Sequence, residues 1–342
     1  MIELLPDADQ QQIIDSIAGY LGDKFPVSRL SQLDFTGEND DRDAWQGLAD
    51  QGLFGLAVAE EFGGAGFTLV EEMLVARELG RFLLSPSVLA TSLAAQVAAT
   101  AGEHALAGAI IAGETRVSFA RLAGPGQIGA KTSGELHIID ARPDDLLLGW
   151  GDDGVAIFAR SELGSVRSVA PMDGSVGLER GLADGVSARI FIPATTAPLA
   201  QRANLLIAAA LAGNADATCT LAVEYAKVRE QFGKQIGSFQ AVAHHCSDMA
   251  IRARSALAQA AFSAIIMRDG RGDAELQVAS AAIVSADAAI RNATIAIRVH
   301  GGMGFTAECD VHLYLKRAHL LVHLNGGTRI HQEKLLSRPF GE

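Results

Sequence analysis

Two stretches of this sequence group residue types suited to holding a phosphate-bearing ligand. In VREQFGKQIGSFQAVAHHCSDMA (228–250), a helix ending at Arg229, a turn at Phe232-Gly233 and a helix restarting near Ser238 would bring Arg229 and Gln240 close together. An arginine offers a planar fork of donors that matches a pyrophosphate; taken alone, it would also serve a surface salt bridge. In RVHGGMGFTAECDVHLYLKRAHLLVHLNGGT (298–328), Gly301-Gly302 follow a long helix. Glycine admits a ligand against bare backbone, and it also ends helices as a C-cap. His244, His245, Asp248 and Glu308 read as structural or orienting groups of the helices around these stretches. Cys219, Cys246 and Cys309 stand far apart without a CxxC, and read as buried small residues of a reducing compartment, with no metal site.

Long helices and one β segment must position these groups. The 342 residues are 49% hydrophobic and 20% charged, which supports a buried globular core. A net charge of -12 with no run of five Lys/Arg argues against nucleic acid or an anionic membrane as the main partner. The N-terminus MIELLPDADQ lacks a basic n-region, and apolar stretches such as 205–212 are shorter than the ~20 residues that span a bilayer. A cytoplasmic protein is expected.

Residues 1–116 read as a helical domain, with Trp45, Leu48, Leu53 and Leu56 at near-helical spacing and a second stripe at Leu69, Met73, Leu74 and Leu79. Gly63-Gly64 break that pattern, Glu60 and Glu61 read as a solvated helix end, and Thr68 as the next N-cap. Residues 117–196 hold 12 of the 36 glycines and short apolar runs at 117–120, 136–139, 145–148, 155–159 and 188–192, a small β domain. Residues 197–342 return to helix, with Ala-rich stretches at 205–227, 240–269 and 274–299 that are apolar around much of their circumference.

The paired motifs R-x-x-F-G-x-x-I-G-x-F-Q-A-V-x-H and V-H-G-G-x-G-F-T-x-E resemble those of the FAD-dependent acyl-CoA dehydrogenases. The segments W-x-x-L-A-x-x-G-L-x-G-L-x-V (45–58), E-E-F-G-G-x-G (60–66) and A-R-E-L-G-R (76–81) are similar too, so the resemblance covers nearly the whole chain in order. It implies an α+β fold: an N-terminal helical domain, a β-barrel-like middle domain and a C-terminal four-helix bundle through which subunits associate. It also implies that Arg229, Gln231 and Phe232 touch the pyrophosphate and adenosine half of a neighbouring subunit's FAD. Gln240 would assist, Gly301 and Gly302 would admit the dinucleotide, and Thr328 would join the contacts. Arg298 stands where the family usually has Gln. The implied reaction is α,β-desaturation of an acyl-CoA, with electrons passed to an electron-transfer flavoprotein. HLYLKRAH (312–319) resembles short actinobacterial-type members, many tied to sterol or other bulky acyl-CoA breakdown.

Departures from the family's pattern fall on the chemistry. The α-proton must leave to a carboxylate beside the flavin. One family position for that Glu precedes the G-T of HLNGGTRIH and holds Asn325 or Gly326; the other, 29 residues before Phe232, holds Ala203. The middle domain has RLAGPGQIG (121–129) where a phosphate and substrate loop is expected. No W-I-T-N strand is evident between Ile139 and Leu146, and Trp150 nearby suits packing or flavin contact. Three readings follow: a non-catalytic partner completing the FAD site of a homologous, base-bearing subunit; a homomeric dehydrogenase with an unusual base among Glu308 and the two histidines; or a flavin monooxygenase on the same fold.

Overall fold

The computed structural model describes residues 3–32 and 42–337. In chain order the helices and strands are α1 (Ala8–Lys24), α2 (Arg42–Asp50), α3 (Leu69–Arg81), α4 (Pro86–Thr100), α5 (His104–Ile111), β1 (Val117–Gln127), β2 (Lys131–Ile139), β3 (Leu146–Gly151), β4 (Gly154–Ala159), β5 (Ser165–Ser168), β6 (Leu178–Ser187), β7 (Ile190–Pro193), α6 (Leu199–Val228), β8 (Glu230–Gln231), β9 (Lys234–Gln235), α7 (Gln240–Arg268), α8 (Ala274–His300), α9 (Val311–Leu324) and α10 (Gly327–Leu336). They fall into two compact units. Of the described residues, one holds 3–32, 73–84 and 204–337; the other holds 42–72 and 85–203.

In the second unit the strands form one mixed sheet, ordered β5-β6-β2-β1-β3-β4-β7. Only β1 and β3 pair in parallel; every other neighbour is antiparallel. Alternation sends Ala120, Leu136, Ile138, Leu147, Ala156 and Phe158 into one apolar core. RLAGPGQIG is not a free loop. Residues through Gln127 continue β1, paired with β2 across an irregularity between Leu122 and Gly126, where a Cβ on Gly126 would fall 2.4 Å from the Ser133 carbonyl oxygen. Between Ile139 and Leu146 the chain forms a loop around Arg116. Its guanidinium reaches Asp140 Oδ2 at 3.1 Å and Asp145 Oδ2 at 3.3 Å and stacks on Trp45 at 4.8 Å. Helix α4 is buried almost all round, and its Thr91 hydroxyl exchanges 3.0 Å hydrogen bonds with both N and O of Val117. Thr68 does cap α3: its Oγ1 accepts from Val70 N at 3.1 Å while Glu71 Oε2 accepts from Thr68 N at 2.8 Å. Glu60 and Glu61 are exposed on a short 3-10 turn.

The first unit is a helical bundle of α6–α9, joined by α1, α10 and most of α3. Helices α3 and α6 meet backbone to backbone. A Cβ on Gly80 would lie 1.9 Å from the Ala210 carbonyl oxygen, and one on Gly213 would lie 1.9 Å from that of Arg77. Around the crossing, Arg77 reaches Glu78 and Asp216 at 3.3 Å each, and Arg81 reaches them at 3.2 and 3.5 Å. Burial pushes the fully buried Glu78 carboxyl up, and the two arginines pull it back. Asn292 on α8 is wholly buried. Its amide donates to Ala215 O (3.1 Å) on α6 and Met249 O (2.9 Å) on α7, and its carbonyl accepts from Arg252 Nε (2.9 Å). Buried Arg317 on α9 donates to the carbonyls of Leu83 and Leu84, and Tyr314 donates to Arg81 O at 2.8 Å.

Helix α6 is longer than its apolar core suggests. Among the described residues it is one helix long and apolar enough to cross a membrane by length and composition, yet 78% of its most apolar stretch is buried inside protein, as in a core helix. Helix α7 departs from the expectation of burial on several sides: Ala241, His244, His245, Ser247, Asp248, Ala250 and Ile251 are exposed.

The glycine crossing can be tested directly. Gly213→Ala forces a methyl into the Arg77 carbonyl, and overpacking of this kind destabilises by about 1–3 kcal/mol or more. Urea unfolding followed by circular dichroism is expected to show the unfolding free energy lowered by that amount, with Gly80→Ala behaving alike.

Candidate functional site

Both phosphate-suited stretches lie in the helical unit, at the end where α6 and α8 finish. The Tyr225 ring, four residues before Arg229, stacks on His300, which immediately precedes Gly301, with centroids 4.3 Å apart. Beneath them Cys219, Ala222, Met249, Ala296, Ile297 and Val311 pack as one cluster. Arg229 is thereby brought to the same end as Arg298, Gly301 and Gly302. The Tyr225–His300 pair was not among the expected contacts, although both residues lie within the motif stretches.

Helix α6 ends at Val228, and a tight hairpin of β8 and β9 follows instead of a simple turn. Phe232 (φ 54°) and Gly233 (φ 76°) both take the left-handed conformation, as a two-residue type I′ hairpin requires. Ile236 N returns to Arg229 O at 2.8 Å, and a Cβ on Gly237 would lie 2.9 Å from Ala226 O, so the loop is pressed onto the helix it leaves. Helix α7 then starts at Gln240, exposed in its first turn. Phe232 is 92% exposed at the tip of the hairpin, edge-on to Phe239 at 6.2 Å, and Lys234 Nζ sits 4.3 Å from the Phe239 ring centroid. Gln231 is exposed and donates to Glu230 O at 2.7 Å.

Arg229 and Arg298 are exposed, and among the described residues neither guanidinium has an ion pair. Gly301 turns the chain out of α8 with φ 61°, a left-handed backbone that favours glycine, and nothing lies within 4 Å of a Cβ placed on Gly301 or Gly302. Gly301 is thus the C-cap of α8, and the backbone at both glycines is open. Met303 and the 77%-exposed Phe305 continue the same rim. These groups form a surface of two unpaired cations, bare backbone and exposed aromatics, suited to a phosphate-bearing ligand.

The expected base positions hold no carboxylate. Ala203 belongs to the sheet-containing unit and is 1% exposed. The Arg202 guanidinium beside it pairs with the buried Glu72 carboxylate, whose Oε1 lies 3.4 Å from the Ser92 hydroxyl. In the helical unit Asn325 is buried, its carbonyl in a 2.9 Å contact with His331 Nε2 and its Oδ1 without a hydrogen-bond partner. Gly326 has φ 87°, so a glutamate there would sit in a strained backbone. Thr328 is half-buried in the first turn of α10.

Several roles read from sequence change. His244, His245, Asp248 and Glu308 are exposed, and among the described residues neither Asp248 nor Glu308 has an ion pair, so none is an orienting group of the bundle interior. Of the cysteines only Cys219 is buried; Cys246 and Cys309 are half-buried. Trp150 is a packing residue, 4% exposed and edge-on to Phe119 at 5.5 Å.

The acyl-CoA dehydrogenase C-terminal domain matches residues 199–338, and the acyl-CoA dehydrogenase N-terminal domain matches residues 7–112. Acyl-CoA dehydrogenase IpdE2 of Mycolicibacterium smegmatis is 31% identical over 302 residues, 88% of this chain and 89% of IpdE2. Acyl-CoA dehydrogenase FadE34 of Mycobacterium tuberculosis is 35% identical over 317 residues, 88% of this chain, which spans only 43% of FadE34. The solved ChsE4-ChsE5 complex from Mycobacterium tuberculosis contains a chain that superposes with a TM-score of 0.84 at 22% identity, covering 99% of this chain and 100% of that one, a likeness of fold.

The open glycines separate stability from ligand approach. Gly302→Ala meets no atom, so its unfolding free energy should stay within about 0.5 kcal/mol of wild type. The same methyl stands where a ligand would lie on the backbone, and retention of any bound dinucleotide, measured by absorbance after desalting, should fall.

Proposed function

This chain belongs to the acyl-CoA dehydrogenase family of FAD-dependent oxidoreductases, and we propose that within it the protein is the non-catalytic subunit of a heteromeric enzyme, completing the FAD site of a base-bearing sister chain. The single observation that carries this is the division of the site's parts. Residues that suit the dinucleotide's phosphates are present and open, whereas Ala203, Asn325 and Gly326 occupy the positions from which a carboxylate would take the α-proton.

The bundle end fits the pyrophosphate of FAD: two exposed guanidiniums without ion pairs beside glycine backbone with no atom over it. Arg229 and Arg298 would hold phosphate oxygens, Gly301 and Gly302 would allow close approach, and Gln231, Phe232, Gln240 and Thr328 would flank the adenosine half. When bound, FAD supplies the hydride acceptor for desaturation of a fatty or sterol-derived acyl-CoA, and an electron-transfer flavoprotein is the onward acceptor. This chain's contribution is binding and orientation, with the proton removed by the partner's Glu. A homomer would need both halves of the site from one sequence; a heteromer needs each half once. The fold also occurs in a complex of two named chains, ChsE4 and ChsE5.

The isolated chain is expected to turn over acyl-CoA at least about a hundred-fold more slowly than a base-bearing relative, the lower end of a positioned base's contribution. Co-expressed with such a relative, it should form an assembly holding one FAD for every two chains by mass and flavin absorbance. Arg229→Ala should then weaken flavin retention about ten- to a hundred-fold. A stable homotetramer with one FAD per chain and ordinary turnover would overturn the reading.

A further inference from the structure

Four strands of the sheet place basic side chains side by side. Arg167 on β5 stands directly opposite Arg180 on β6, Arg180 opposite His137 on β2, and His137 opposite Arg121 on β1. Residues directly opposite in an antiparallel pair project from the same face, so the four form one row across the sheet. The adjacent row, Val166, Gly181, Leu136 and Leu122, projects from the other face into the apolar core. The basic row therefore lies on the face turned away from that core. At its inner end the Arg121 guanidinium is 5.8 Å from the Trp150 ring centroid, and at its outer end Arg167 is 72% exposed. With strands about 4.8 Å apart, the row is roughly 14 Å long.

Its three arginines concentrate positive charge in a chain of net charge -12, while burial and the neighbouring Arg180 push the His137 pKa down. Arg167 and Arg180, placed directly opposite one another, repel. Glu135 Oε1 lies 3.5 Å from Arg180 Nη1 and 4.0 Å from Arg167 Nη2. Arg121 has no ion pair among the described residues; burial lowers its pKa, opposed only by Asp152. Arg180 Nε is buried without a hydrogen-bond partner. Two of the three guanidiniums thus share one carboxylate and the third has none at ion-pair distance, so donors are left over for an anion that is elongated and multiply charged.

We infer that this row binds a pyrophosphate-bearing nucleotide laid across β5, β6, β2 and β1, with Arg180 and Arg121 gripping its phosphates and Glu135 competing for the guanidinium of Arg180. Coenzyme A and FAD both carry that pyrophosphate. The site uses none of the bundle-end residues and stands or falls separately from the heteromer reading.

Calorimetric titration of the full chain with inorganic pyrophosphate, coenzyme A and FAD tests it, with fluorescence of Trp150 as a second signal, Trp45 being the only other tryptophan. Saturable binding that weakens with salt is expected. Arg121→Gln or Arg180→Gln should weaken it about ten- to a hundred-fold, and Glu135→Gln should tighten it, which loss of folding would not do. Where either variant fails to fold, the exposed Arg167→Gln replaces it and should still weaken binding. Tighter binding of coenzyme A than FAD, or the reverse, supports the site and names its source. No saturable binding of any of the three, unchanged affinity in the arginine variants, or stronger binding of a single-stranded oligonucleotide would overturn it.

Discussion

The helical unit depends on how closely α3 and α6 approach. With hydrogens in place of side chains at Gly80 and Gly213, each helix rests on a carbonyl of the other, and Arg77, Glu78, Arg81 and Asp216 close over the contact. A buried ion cluster of this type adds little net stability by itself, but removing one partner is costly, about 3–5 kcal/mol. Its effect is to fix one register. Asn292 does the same farther along: its amide reaches two helices from a third, and a slip of one turn would leave it buried and unpaired. The stack of Tyr225 on His300 inherits that register, and the bundle end with its arginines and glycines is held in place by it.

Long helices were legible in the sequence because their apolar runs are long. Alanine-rich stretches at 205–227, 240–269 and 274–299 became α6, α7 and α8 with ends displaced by a few residues. Strands β5 and β6 were not legible. Their residues, SVRS and LERGLADGVS, are mostly polar because one face is exposed, so no apolar run announces them. The apolar run at 117–120 marks only the start of β1, which continues through RLAGPGQ. Glycine and proline suggest a loop, but here they accommodate a strand irregularity and close backbone approach.

Of the candidate site, residue types and order were readable and geometry was not. Arg229 and the glycine pair stood out by motif, whereas the stack that unites them joins residues seventy-five positions apart. Exposure was equally out of reach. His244 and His245 sit in a helix whose composition suggests burial, and only the packing of α7 against α8 decides which side faces out. The basic row across the sheet is the extreme case, since Arg121, His137, Arg167 and Arg180 share nothing in sequence and meet only through strand register.

The β8–β9 hairpin has a kinetic consequence. Phe232 is held at its tip by a left-handed turn and by the loop's hydrogen bond back to Arg229, with no further ordering left to accomplish. A large aromatic side chain with few rotatable bonds, already fixed and already bare, loses little conformational freedom when something settles on it. Association at this end of the bundle is therefore governed by the frequency and orientation of encounters, and the lifetime of what forms is set by how well the other surface fits a rigid protrusion.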